Sequence, residues 1–375
     1  MYKRLIFALV FVALAVGISG AQNAERPWWY SLEEGKLLFR SGAYGNALIA
    51  FEDARRGRLA QFTRMEEDLI RFLSLPSTRR LGDSLDFVEQ YIALRNDAGA
   101  ASTLAYLYYR VPRESLNGSV RRALEALDRL KSYPEAEFWL GETYRAEGEL
   151  GLALRQYERA WRDRALLEIP GFEVEILYKI TDIHRVRQEY QEMERRAVEI
   201  IQGTGPSGAP RDELWNRAHL RISMTRLLET EGVNRFLSLY RHNNPATERA
   251  HRLLGFFYYA TNRYIPAAEH LMFAFLIQNT VLIDDIIRRH HDFTFTTLDD
   301  LVGRALSRPD LAEFIEETEY FRTVFYFSSA LHAVGRTRPA MQLWTFLAQS
   351  DNSGVWGERA RRSPTPYLES AVEMP

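Results

Sequence analysis

Apolar residues in this chain recur at helical spacing and come in facing pairs. Over 139–160, Leu140, Gly141 and Tyr144 share one stripe, Gly148 interrupts the chain, and Leu150, Ala153, Tyr157 and Ala160 make a second stripe. That pattern predicts two short helices folded on each other. The series repeats near the start of the chain. Trp28 and Trp29 precede Ser31-Leu32-Glu33-Glu34, a capping box expected to open a helix carrying Gly35 and Leu38 and ending at Ser41-Gly42; Tyr44, Ala47, Phe51 and Ala54 follow. A third copy runs Leu254-Gly255, Tyr258, a break at Asn262, then Tyr264, Ala267, Leu271 and Ala274. A weaker fourth holds Phe327-Ser328, Leu331, Gly335, Ala340 and Trp344.

The residue types follow from packing. Where two helices cross closely, a side chain larger than Gly or Ala pushes them apart, so Gly35, Gly141 and Gly255 are expected against Ala47, Ala153 and Ala267. Gly42, Gly148 and Asn262 are expected to end the first helix of each pair in a left-handed conformation, which Gly adopts freely and Asn tolerates.

The gaps between copies predict further pairs. Gly35 and Gly141 stand 106 residues apart and Gly255 and Ser328 stand 73 apart, each a few residues over a multiple of the roughly 34 of a helix-turn-helix repeat. The separation of 114 between Gly141 and Gly255 fits less well and implies a longer loop. Apolar periodicity marks candidate pairs in 59–94, in 102–131, over Glu175–Val186 with Tyr190–Ile201, and over Leu214–Leu228 with Phe236–Tyr240, while 282–316 is the least regular stretch.

These residues resemble tetratricopeptide repeats, whose leucine-glycine, tyrosine, turn-glycine, alanine, aromatic, alanine series they follow. The resemblance covers 28–61, 134–167 and 248–281 clearly and 321–354 weakly; Asn262, Ser328 and Thr337 stand where the pattern has the turn glycine, the helix glycine and an aromatic. It implies an all-α fold, a right-handed superhelical α-solenoid over 22–354, in which the first helix of each hairpin lines a concave groove that binds peptides. It then points to Phe138, Glu142 and Arg145; to Arg252, Phe256 and Tyr259; and in weaker units to Tyr178, Asp182 and Arg185 and to Phe325, Ser329 and His332. Each set has i, i+4, i+7 spacing and so forms one stripe. Aromatic and Arg residues are enriched at binding hot spots, so one reading is a groove in which Arg145, Arg185, Arg249 and Arg252 hold the carboxylates of a docked segment. The other is that the aromatics pack on a neighbouring hairpin and the arginines solvate the surface.

The ends add a location. Lys3 and Arg4 precede an uncharged apolar run from Leu5 to Ile18 and the small residues Ser19-Gly20-Ala21, the layout of a secretory signal over 1–21. The run is shorter than the ~20 residues of a spanning helix, so an uncleaved membrane anchor is the alternative. With no cysteine in 375 residues the chain forms no disulfide, which favours a bacterial periplasm or envelope over eukaryotic secretion and makes Asn117-Gly118-Ser119 a chance match to a glycosylation sequon. Trp28 and Trp29 either pack on the first helix or sit at a membrane surface. Ser363-Pro364-Thr365-Pro366 and the polar stretch around it mark 355–375 as a flexible tail. Charge is balanced, 48 basic against 50 acidic residues, and gives no argument for nucleic acid as a partner.

No catalytic constellation, cofactor or metal site is readable. Gly203-Thr204-Gly205-Pro206-Ser207-Gly208 matches a dinucleotide-binding string but follows a helix and holds a proline. Ser350-Asp351-Asn352 lacks the Ser-x-x-Lys that accompanies it in penicillin-binding proteins. His290-His291-Asp292 points to different sides of a helix and reads as a solvated turn, and Glu66-Glu67, Asp284-Asp285 and Asp299-Asp300 read as helix starts or solvated faces. The expectation is a non-enzymatic adaptor or scaffold in the bacterial envelope that binds a protein segment. The alternative is a periplasmic carrier in which 282–316 closes the groove over a small ligand or lipid.

Overall fold

A computed structural model describes residues 27–72, 130–203 and 212–362. The expectations for the signal at 1–21, the hairpin candidates between 73 and 129, the Asn117 sequon, the glycine string beyond Gly203 and the tail from Ser363 lie outside the described residues. Those that are described form an all-helical protein with no strand among them, in two compact units, Met1–Leu166 and Leu167–Pro375.

The first unit contains α1 (Trp28–Arg40), α2 (Tyr44–Phe72), α3 (Pro134–Ala146) and α4 (Leu150–Arg162). Helix α1 begins three residues before the anticipated capping box: Pro27 stands at its N-cap and no side chain caps it. Proline presets a helical φ, and the extra turn half-buries Trp28, which meets Tyr133 edge-on with ring centroids 4.8 Å apart and donates its indole N–H to Gln61 at 2.7 Å. The Arg58 guanidinium lies over both rings, 4.7 Å from Trp28 and 4.4 Å from Tyr133. Trp28 is thus a packing residue, while Trp29 is exposed. The core of this unit is Leu32, Ala47, Phe51, Ala54, Tyr133, Ala136 and Leu140, flanked by Phe39, Trp139 and Tyr144. Helix α2 continues unbroken through Leu69, absorbing the first segment of the pair anticipated over 59–94.

The second unit is built on three hairpins, α5 (Phe172–Val186) with α6 (Tyr190–Gln202), α10 (Pro245–Ala260) with α11 (Tyr264–Arg289), and α14 (Tyr320–Ala333) with α15 (Thr337–Gln349). Helix α6 packs on α10, and α11 packs on α14. Between the hairpins run α7 (Glu213–Asn216), α8 (Ala218–Glu231), α9 (Val233–Leu239), α12 (Leu298–Leu306) and α13 (Pro309–Glu317). Helix α11 is the spine of this unit. It is apolar and long enough to span a membrane, with mean hydropathy 1.4 over its most apolar window, yet 78% of that window is buried by protein.

Two expectations change here. The stretch 282–316 is helical over most of its length. Helix α11 runs on to Arg289, Thr297 caps α12 by accepting the Asp300 N–H at 3.2 Å, and Arg308 binds Asp285 and Asp310 to fasten α13 to the end of α11. The structured chain also passes residue 354. Asn352-Ser353-Gly354 is a tight turn in which the Ser353 hydroxyl donates to the Leu347 carbonyl at 2.8 Å, and α16 (Gly354–Arg362), within the expected tail, then packs Trp356 against Phe325 and Tyr326.

Five hairpins among the described residues share one register. A small residue on the first helix (Gly35, Gly141, Thr181, Gly255, Ser328) stands seven residues before one with positive φ (Gly42, Gly148, Gln188, Asn262, Gly335). After each left-handed residue, the next N–H reaches back to the carbonyl five residues earlier, as from Glu149 to Tyr144 and from Glu189 to His184, both at 2.8 Å. The glycines do not face the alanines expected. A Cβ on Gly141 would lie 2.6 Å from the Tyr157 ring and one on Gly255 would lie 2.5 Å from Leu271 Cγ; Gly35 is closed in the same way by Phe51. In each case the partner sits one turn beyond the alanine, nine residues after the left-handed residue. The alanines are fully buried beside the crossing.

Candidate partner-binding face

Glu142 is a residue that the repeat pattern leaves free to vary, and the fold uses it inside its own hairpin. Its carboxylate accepts a short hydrogen bond from the Tyr157 hydroxyl and pairs with Arg145 at 3.0 Å. Burial first and the Glu142 charge second push the Tyr157 phenol well above its ordinary range, so tyrosine remains the donor. Phe138 is 4% exposed and packs against Tyr157, with centroids 5.6 Å apart. It is therefore turned into the hairpin and not away from the seam as the repeat pattern suggested. Of this triplet, only Arg145 presents a substantially exposed side chain, at 44%.

In the second unit the corresponding residues bind from one hairpin to the next. The Tyr178 hydroxyl donates to the Ala246 carbonyl at 2.7 Å and accepts the Ala250 N–H at 3.2 Å, joining α5 to the first turns of α10. Burial raises this phenol far above its usual range. Asp182 receives Arg249 at 2.6 Å, with Arg185 at 3.9 Å, and the Arg249 guanidinium also lies over the Tyr178 ring at 4.9 Å.

Arg252 is committed within the fold. It contacts the buried Glu248 at 3.1 Å and makes a close ion pair with Glu319, a non-glycine residue with φ of 48° at the start of α14. Glu248 also accepts from Gln278 at 2.7 Å, and burial raises its pKa against the pull of Arg252. Phe256 and Tyr259 are buried under Tyr326, with centroids 5.3 and 5.2 Å apart. Phe325 is buried against Trp356, and half-buried His332 lies 5.2 Å from the Trp344 ring. Ser329 is buried and donates to the Phe325 carbonyl.

The aromatic members of the anticipated face are thus inter-helix packing, as the second of the two sequence readings had it, while Arg145, Arg185 and Arg249 keep partly exposed guanidinium groups. The second unit holds an open cleft of about 630 Å³, lined among others by Ile315, Glu319, Arg322, Tyr326, Trp356 and Arg359. Arg322 stacks on Phe256 at 4.5 Å, and its buried Nε has no hydrogen-bond partner; Arg359 stacks on Trp356 at 4.8 Å.

A polar cluster that sequence reasoning missed lies in the core of the second unit. Fully buried Asp212, the N-cap of α7, accepts the Trp215 N–H at 2.8 Å on Oδ1. Its Oδ2 accepts from His242 Nε2 at 2.8 Å, Thr247 Oγ1 at 3.1 Å and His251 Nε2 at 3.2 Å. His251 Nδ1 lies 3.0 Å from His270 Nδ1, and Trp215 stacks on His270 with centroids 4.2 Å apart. Burial raises the Asp212 pKa, but the bonds from His242 and His251 outweigh it and hold the carboxyl far below its usual range. Burial depresses His251, and depresses His270 still further with His251 adding to the effect. The four residues come from separate elements and make no local motif. The only sequence signal is a histidine on each of two otherwise apolar stripes, four residues before Gly255 and one before Leu271. No group of three or more metal-ligating residues with the geometry to hold an ion occurs among the described residues.

Comparisons place the chain beside proteins of unassigned role. No protein-family model matches it, and no solved structure does. It is 24% identical over 332 residues to a protein of Treponema pallidum (strain Nichols) described as uncharacterized, covering 88% of each chain. It is 20% identical over 235 residues to a protein of Borreliella burgdorferi, also described as uncharacterized, across 59% of this chain and 72% of that one.

Proposed function

We propose that this chain is an exported, non-catalytic adaptor of the bacterial envelope, built from tetratricopeptide-like hairpins and holding a carboxylate-bearing segment of a partner protein. The observation that carries the reading is the pairing of exposed arginines with aromatic side chains, Arg249 over Tyr178 on the first helices and Arg359 over Trp356 in the cleft of the second unit. Such a guanidinium is stiffened by the ring and presents a planar fork to a carboxylate, so little is lost in ordering it on binding. The shared hairpin register supports the repeat assignment, and the apolar stretch after Lys3 and Arg4 supports export.

The test is crosslinking in the native envelope followed by identification of the captured partner, with the variant Arg359→Glu as the control. The Arg359 side chain projects from the surface, so reversal should leave thermal unfolding within about 1 kcal/mol and reduce capture at least about tenfold, a loss on the order of 1.4 kcal/mol. Undiminished capture by the folded variant would overturn the arginine-lined cleft as the binding surface.

A further inference from the structure

We propose that Asp212, His242, His251 and His270 form an acid-released latch that fastens the start of the α7–α9 segment to the α10–α11 hairpin. Asp212 Oδ2 lies within 3.2 Å of Nε2 of both His242 and His251, and an ionised carboxylate only accepts, so both nitrogens carry hydrogen. In a neutral His251 ring the Nδ1 is then bare, and the 3.0 Å contact to His270 Nδ1 is satisfied when His270 donates. Neutral rings thus complete the chain from His270 through His251 to Asp212.

One added proton can be accommodated on His270 Nε2 with the Nδ1 contact kept, at the cost of a buried charge. Two cannot: both Nδ1 atoms would then carry hydrogen and face each other across 3.0 Å as donors. Full protonation therefore requires the rings to part. Trp215 would move with them, because it stacks on His270, meets His251 at 4.9 Å and holds Asp212 through its N–H.

The charges around the pair make burying a cation harder. Arg221 of α8 lies over Trp215 at 4.7 Å and within 3.8 Å of Glu269, and Arg263 faces His270 while paired with Glu194 of α6 at 3.2 Å. Tyr258, whose ring is 5.4 Å from His270, donates to the same Glu194. Among the described residues, Asp212 is the one carboxylate bonded to the pair, through His251.

Both histidines are depressed below their ordinary value of 6.5 in the closed state. The open state therefore binds more protons below that value, and stability present at neutral pH is lost as pH falls. Opening linked to one proton grows about tenfold per pH unit, and linked to two it grows faster.

The experiment is hydrogen exchange of the full chain read at 212–217 and corrected for intrinsic rate. Between pH 6.5 and 5.5 the opening constant should rise at least about tenfold, while His270→Asn, which keeps a donor near the Nδ1 position and does not titrate, should flatten the rise. Equal pH dependence in both proteins, or none in the unaltered one, overturns the latch. Proton NMR of the unaltered chain needs no variant: two of the eight histidines should resist protonation to well below 6.5, and eight ordinary titrations would refute the latch.

Discussion

Hairpins α3–α4 and α5–α6 solve one packing problem with opposite residues. In the first, Gly141 lies under the Tyr157 ring and Gly148 makes the left-handed turn. In the second, Thr181 takes the glycine position, Ala197 the tyrosine position and Gln188 the turn, with φ of 59°. Thr181 and Ala197 are both fully buried. What is kept is a small residue on the first helix and the register of the turn, not the identity of any residue. Loss of the tyrosine also changes where the neighbouring acid is bound. Glu142 is held within its hairpin by Tyr157, whereas Asp182, at the equivalent position, is held from α10 by Arg249.

The largest effect should come from overfilling the second crossing. Ala197→Leu alone is expected to cost about 3 kcal/mol in urea denaturation, and adding Thr181→Gly, which copies the Gly255 and Leu271 pair, should restore at least half. Additive losses would show that the two positions do not share one space. Next, Tyr157→Phe removes the donor from a buried carboxylate and should cost about 2 kcal/mol, whereas the matched truncation Arg249→Ala, at a pair about half exposed, should cost under about 1 kcal/mol; equal costs would erase the distinction between internal and inter-hairpin binding. The smallest effect has the opposite sign. Gln188→Gly relieves a left-handed side-chain residue and should raise stability by about 1 kcal/mol, read as a higher unfolding temperature, with Gly148→Gln lowering it by a similar amount.

Periodicity alone located the helices of α5–α6, but their membership of the common register was hidden because Thr181 and Gln188 replace the residues that announce it. The helical stripes were legible; their neighbours were not. Nothing within a few residues of Arg252 tells that Glu319, 67 positions away, will occupy it, or that Tyr326 will cover Phe256 and Tyr259. The region 282–316 looked irregular because its helices are short and broken by His290 to Thr297, and its order comes from long-range pairs such as Arg308 with Asp285. The histidine cluster was invisible for the same reason, since a buried polar network is a property of converging chain segments and leaves only isolated polar letters in apolar runs.

The register has a consequence for how the chain tolerates change in length. Thr181, Gly255 and Ser328 are separated by 74 and 73 residues, yet the first interval is filled by α7, α8 and α9 and the second by α12 and α13. The spacers are elastic. Inside a hairpin the opposite holds, because one inserted residue turns everything after it by about 100° and carries the small position away from its crossing. Insertions and deletions accepted over generations should therefore gather between hairpins and leave the sixteen-residue interval from Gly255 to Leu271 untouched.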